Sequence, residues 1–192
     1  MKNITIVGDS HSEALASGFC EFARINKIDI KTNYIRYGGV CAYNVDYNNI
    51  NRHDVQGDII LAHFGENDCR RKLPRYNNAE ETAKIYIEKT LEYFKDNRVI
   101  FVQHPPQALD ELTHEFQFAQ KSFNPLSERL KQQRIFYKTL ENYDGIEVIK
   151  IYDVLGIEVG TEDDLQDGCH LTRSNVIALA EYINNYIDKA VD

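Results

Sequence analysis

The chain has 192 residues, the length of one domain, and a chain of that size buries about 70% of its unfolded surface and needs no disulfide to hold a core. Thirty acidic residues against 22 basic give a formal charge of -8, which argues against broad binding to nucleic acid or an anionic membrane and favours a neutral or cationic partner. No apolar run approaches the roughly 20 residues of a membrane span, so the expected location is cytoplasmic.

Short β-branched runs alternate with longer stretches of helical periodicity. Residues 4–7 read as a first strand, because "MKNITIV" runs directly into the segment "GDSHS", and residues 12–26 read as the helix after it. A second strand is expected over 28–35, a third over 58–64, a fourth over 98–103 and a fifth over 147–151, each apolar on both faces. Helices are expected over 79–96, where "AKIYIEKTLEYF" has the helical spacing, over 126–143, and over 173–190. The rhythm predicts a parallel sheet in a doubly wound α/β sandwich. With no repeat, linker or low-complexity tract, residues 1–192 are read as a single domain, and the irregular stretches 36–57 and 104–124 as site loops.

Ligands of such sheets bind beyond the carboxyl ends of the strands. Four segments fall there: "GDSHS", "YGGVCAY", "FGENDCR" and "QDGCHLT". Each has an ordinary reading. Ser10 or Asp9 can cap the first helix, Gly38 and Gly39 can form a turn, Asn67 and Asp68 can cap or turn, and Asp167 can cap beside a surface His170. A Gly-Asp-Ser tripeptide alone arises by chance in roughly one chain of this length in twenty, so the motif carries little by itself.

The combination carries more, since the serine, the glycines, the asparagine and the histidine all fall on one edge of the expected sheet. A serine hydroxyl becomes a nucleophile only when a base takes its proton, and the base needs a third group to hold its tautomer. His170 and Asp167 suit those two roles. An oxyanion needs preorganised donors, which the Ser10 N–H, a Gly38 or Gly39 N–H and the Asn67 amide can supply together; glycine allows close approach there because it has no Cβ.

In these blocks the chain resembles the SGNH, or GDSL-type, hydrolases across essentially its whole length. "GDSHS" stands at the nucleophile block, "GGVCAY" at the glycine block, "GEND" at the Gly-x-Asn-Asp block and "DGCH" at the Asp-x-x-His block. The resemblance implies a three-layer α/β/α sandwich with a five-stranded parallel, flavodoxin-like sheet. It also implies Ser10 as nucleophile, His170 as base, Asp167 as its partner, and an oxyanion hole of Ser10, Asn67 and one of Gly38 and Gly39, with no cofactor and no metal. Two departures stand out: His11 replaces the leucine of the name-giving motif, and "HLT" replaces the commoner His-Pro. "GDSHS" with "DGCHL" is more similar to the polysaccharide-associated branch of the family than to the lipases.

Two rival readings compete. Asp9-x-His11 is the spacing that opens the two-metal site of calcineurin-like phosphoesterases, but the chain lacks the later Gly-Asp-x-x-Asp and Asn-His signals. A phosphate cradle at a helix N-terminus lacks the glycine-rich loop such sites use. Cys20, Cys41, Cys69 and Cys169 form no CxxC pair and read as reduced thiols with no zinc site, Cys69 and Cys169 as packing residues.

The loop "YIRYGGVCAYNVDYNNINRH" is rich in tyrosine and asparagine, Tyr43 among them, which suits a sugar ring as well as it suits an ordinary loop. Arg70, Arg71, Lys72 and Arg75 suit an anionic sugar or carboxylate, or a solvated surface. The expectation is therefore a serine esterase acting through an acyl-Ser10 intermediate on a short O-acyl ester, acetyl foremost, of a small-molecule or glycan substrate. The principal alternative is an O-acetyltransferase acting on a sugar or polysaccharide, and behind it stands a metal-dependent phosphoesterase or a non-catalytic binding relative.

Overall fold

Runs such as "ITIV" and "IILA" are apolar on both faces, so they are buried fully only in a sheet covered by helices on both sides. The computed structural model describes residues 1–37, 40–50, 54–70, 78–104, 124–158, 160–161, 163–166 and 170–189, with the side chains of Tyr43, Glu66, Arg70 and Leu126 outside the description. In it β1 (Lys2–Gly8), β2 (Ile30–Arg36), β3 (Ile59–His63), β4 (Arg98–Val102) and β5 (Glu147–Ile149) make one sheet in the order β2-β1-β3-β4-β5, every pair parallel. This is the flavodoxin-like order.

Alternate residues of the central strands supply two cores. Ile4, Ile6, Leu61, Ile100 and Val102 face α1 (Ser10–Asn26) and a C-terminal helix over Arg173–Lys189, through Leu15, Phe19, Leu179 and Ile183. Val7, Ile60, Ala62 and Phe101 face the other layer, through Ala83, Tyr86, Ile87, Phe136 and Leu140. That layer is built by α2 (Glu66–Arg70), α3 (Ala79–Tyr93) and α4 (Leu126–Glu141), with two short 3-10 turns at Ala42–Asn44 and Tyr47–Asn49. A fifth helix, α5 (Ile151–Leu155), makes the C-terminal one α6.

Three expectations need correction. Strand β2 is not buried on both faces: none of its residues is fully buried, because it lies at the sheet edge and pairs only with β1. Strand β5 stops at Ile149 and Ile151 opens α5, so the apolar run over 147–151 is divided between a strand and a helix. Helix α3 ends at Tyr93 instead of 96, where Asn97 donates its N–H to the Phe94 carbonyl in a turn. Among the described residues, no helix is long and apolar enough to cross a membrane.

The order of the strands places the site. From β1 the chain passes to β2 on one side and then returns to β3 on the other, so the switch point lies at the carboxyl ends of β1 and β3, between Gly8 and His63. A Cβ on Gly8 would come within 2.2 Å of the His63 carbonyl oxygen. Glycine is thus required for β1 to approach β3 closely, immediately before Asp9 and Ser10.

Candidate active site

Asp9, not Ser10, caps α1. Its Oδ1 accepts the His11 N–H at 3.1 Å while its backbone stays extended, which leaves the Ser10 hydroxyl for other partners. Ser10 Oγ lies 3.0 Å from Nε2 of His170 across 160 residues of sequence. His170 is held by a small antiparallel turn: Leu165 bridges Leu171, Gln166 donates its N–H to the His170 carbonyl at 2.9 Å, and Thr172 donates to the Asp164 carbonyl at 2.8 Å. Leu171 is buried in the core beneath, which anchors the turn just before α6.

Asn67 reaches the same place from the far side of the switch point. Gly65 adopts φ +124 and a Cβ there would meet the Phe136 ring at 2.5 Å, so only glycine lets the chain turn from β3 into α2. The turn brings the Asn67 Nδ2 to 3.3 Å from Asp9 Oδ2 and 3.5 Å from the Val40 carbonyl. Asp68, fully buried, accepts the Ala42 N–H at 2.7 Å through Oδ2. That bond ties α2 to the turn that follows the glycine block.

Ser10 and His170 are thus in contact, and Asn67 bonds Asp9, the residue before Ser10. Asp167, Gly38 and Gly39 lie outside the described residues, as do Arg71, Lys72, Arg75, Cys169 and the side chains of Tyr43 and Arg70. Cys41 and Cys69 are buried, Cys69 within the aromatic core beside Phe64 and Phe136, in keeping with a packing role. A groove of about 840 Å³ runs past Gly57, Tyr93 and Asn97 near the amino ends of β3 and β4; it lies at the opposite end of the strands from Ser10.

The structure adds residues that sequence reasoning missed. Four of the six histidines form a row leading inward from Ser10: the His11 ring lies 4.5 Å from that of His170 and 4.2 Å from that of His104, which stacks on His63 at 3.9 Å. Burial pushes His63 down to about 3; the Gln103 backbone nearby opposes the shift weakly, without reaching hydrogen-bond geometry. Burial first, and then the neighbouring His63, His11 and His170 rings, hold His104 well below the ordinary histidine range. Burial thus favours the neutral form of both rings. Their signal in the sequence is positional: His63 ends β3 and His104 lies two residues past β4, both on the functional edge. Among the described residues one group can converge on a metal ion, formed by Asp9, His11 and His104.

No protein-family model and no curated protein sequence matches the chain. Solved structures do match, and they define the class of the fold, which is that of the SGNH hydrolases. The chain is similar over 99% of its length to all of a carbohydrate acetylesterase from Sinorhizobium meliloti, with TM-score 0.67 at 15% identity. It is similar over 98% of its length to 89% of a GDSL-like lipase from Bacteroides thetaiotaomicron, with TM-score 0.65 at 19% identity. A third match joins 97% of the chain to 84% of the periplasmic domain of a lipopolysaccharide acetyltransferase from Salmonella ser. Paratyphi A, with TM-score 0.63 at 21% identity.

Proposed function

We propose that the chain is a serine esterase that hydrolyses a short O-acyl ester, acetyl foremost, on a carbohydrate or similar small substrate. The observation that carries the reading is the 3.0 Å contact between Ser10 Oγ and His170 Nε2 at the switch point of the sheet. His170 takes the hydroxyl proton as Ser10 attacks the ester carbonyl, and Asp167, three residues earlier in sequence, is assigned the role of orienting the imidazole. The tetrahedral oxyanion is met by the Ser10 N–H, an N–H of Gly38 or Gly39, and the Asn67 amide. Among the described residues the Asn67 Nδ2 bonds Asp9 Oδ2 at 3.3 Å and meets the Val40 carbonyl at 3.5 Å, the outer limit of a hydrogen bond, so an oxyanion is the better acceptor for an amide hydrogen. Collapse expels the alcohol, protonated by His170, and water attacks the acyl-Ser10 by the same route in reverse. Nucleic acid and membranes have no part in this reading.

A fluorophosphonate should label Ser10, and acetate should be released from an acetylated saccharide in the presence of EDTA. An unlabelled Ser10 together with metal-dependent phosphoesterase activity would overturn the reading. The second reading, an O-acetyltransferase, is favoured by the likeness to the acetyltransferase domain. The two differ only in what attacks the acyl-enzyme, so the enzyme is incubated with an acetylated donor and a panel of free mono- and oligosaccharides, with both products followed by mass spectrometry. Free acetate without an acceptor supports the esterase. Acetyl-sugar as the dominant product, with slow acetate release until the sugar is added, supports the transferase.

A further inference from the structure

Asp9-x-His11 fails as the opening of a two-metal phosphoesterase site, yet in the folded chain it acquires a partner that the sequence does not pair with it. His104 brings Nε2 to 3.7 Å from Asp9 Oδ2, with both side chains fully buried. One ligand atom from each of Asp9, His11 and His104 lies within 4.8 Å of the other two. Ligands about 2.1 Å from a single zinc-like ion stand roughly 3.0–3.4 Å apart, so closing the group on an ion asks only for small movements of the side chains.

A second observation points to a ligand independently. No ring nitrogen of His104, or of His63 stacked on it, meets a partner in full hydrogen-bond geometry among the described residues, although the His63 backbone stands near the His104 ring and the Gln103 backbone near the His63 ring. Buried polar atoms are rarely left in that condition, whereas an imidazole lone pair on a metal is satisfied. The space beside these rings, between His11, His63 and His104 on one side and the aliphatic side chains of Leu15, Leu171, Val176 and Leu179 on the other, measures about 10 Å³ and does not reach Asp9. That is room for one ion or one water and for no organic molecule. The carboxylate of Asp9 is already oriented to coordinate, because Oδ1 is engaged by the His11 N–H, which turns Oδ2 towards His104. The Asn67 amide also bonds Oδ2.

We propose that Asp9, His11 and His104 bind one divalent transition-metal ion beneath the Ser10 crevice. Two imidazoles and one carboxylate select zinc, cobalt, nickel or iron(II) over magnesium and calcium, which take oxygen ligands. The ion is assigned no step in the hydrolysis, and its binding is read without any measurement of turnover.

The test is a titration of chelator-stripped full-length protein with Co²⁺, followed by visible d–d absorption. One Co²⁺ per chain should bind, Zn²⁺ should displace it, and Mg²⁺ or Ca²⁺ should not. His104→Phe keeps a ring of similar size without a ligand atom and should abolish the signal. The double variant His53→Gln, His114→Gln removes the other two histidines of the sequence and should keep it. Circular dichroism establishes that His104→Phe is folded; should it fail to fold, paramagnetic shifts of the His11 and His104 ring protons in the wild-type NMR spectrum take its place. Absence of Co²⁺ absorption in the wild type, its full retention in folded His104→Phe, its loss in the double variant, or unshifted His11 and His104 rings would each overturn the proposal.

Discussion

The Asp68→Ala variant tests whether the site is held by its scaffold. Asp68 is fully buried and its Oδ2 accepts the Ala42 N–H at 2.7 Å, while Ala42 is itself only 1% exposed. A hydrogen bond to a charged group contributes about 1.5–3 kcal/mol, and the N–H left buried without a partner costs a further 1–3 kcal/mol or so. Removing the carboxylate also relieves its own desolvation, which offsets part of the loss. We therefore expect a net destabilisation of about 2–3 kcal/mol, which at a urea m-value of roughly 2 kcal/mol/M moves the midpoint down by about 1–1.5 M. Asp68→Asn keeps an accepting oxygen without the charge and should recover about half of this. The assay pairs urea melts with kcat measured well below the melting temperature, where the folded Ala variant should lose less rate than Asn67→Ala. A wild-type midpoint with a collapsed kcat would refute the reasoning and move Asp68 from the scaffold to the chemistry.

Asn67→Ala should lower kcat by roughly a hundred- to a thousandfold, equivalent to about 2.7–4 kcal/mol, with little change in KM; an unaltered kcat for an acetyl ester removes Asn67 from the oxyanion hole. Ser10→Ala and His170→Ala should each abolish nearly all turnover and the double variant should lose nothing further, because the pair acts as a unit; additive losses would mean that the two act in separate steps. The Arg98 guanidinium, bonded in bidentate fashion to Glu147 at 2.8 and 2.7 Å, holds the Glu147 carboxyl below its usual range. A depressed folded pKa contributes stability that is present above the unfolded value and lost as pH falls through the folded one. Urea midpoints taken from neutral pH down past 4.5 should therefore fall more steeply for the wild type than for Glu147→Gln, and parallel curves would show that the partly exposed pair contributes nothing across the β4–β5 edge.

Much of the fold is legible in the sequence, and the places where it is not share a cause. Central strands announce themselves by apolar residues on both faces, as Ile4–Ile6–Val7 and Ile60–Leu61 do with no exposure at all. Boundaries announce themselves by caps, and here two caps are silent. Helix α1 ends on Lys27 in the left-handed conformation (φ 54) that glycine normally signals, so the start of β2 reads two residues early. Helix α5 begins after Lys150, whose side chain caps nothing, so Ile151 reads as strand. Helix α2 spans five residues, too few for a period to register.

The site divides along a different line. Ser10, Asn67 and His170 are legible as candidates because each follows a local signal: a strand end before a helix, a glycine turn, and a polar segment before the last helix. His63 and His104 owe their positions to the adjacency of β3 and β4, which stacks one ring on the other, and strand order is written nowhere in the immediate neighbourhood of either residue. The same distinction explains why Asp9-x-His11 misleads when it is read by spacing. A spacing rule looks for the next ligand at a fixed distance along the chain, whereas the partner here is His104, brought up by β4 from across β3. In a doubly wound sheet every residue just past a strand is a candidate neighbour of the first such residue, because all the carboxyl ends share one edge. Histidines and carboxylates at those positions are therefore best considered together across the edge, whatever their separation in sequence, and that criterion alone puts Asp9, His11, His63 and His104 in one group.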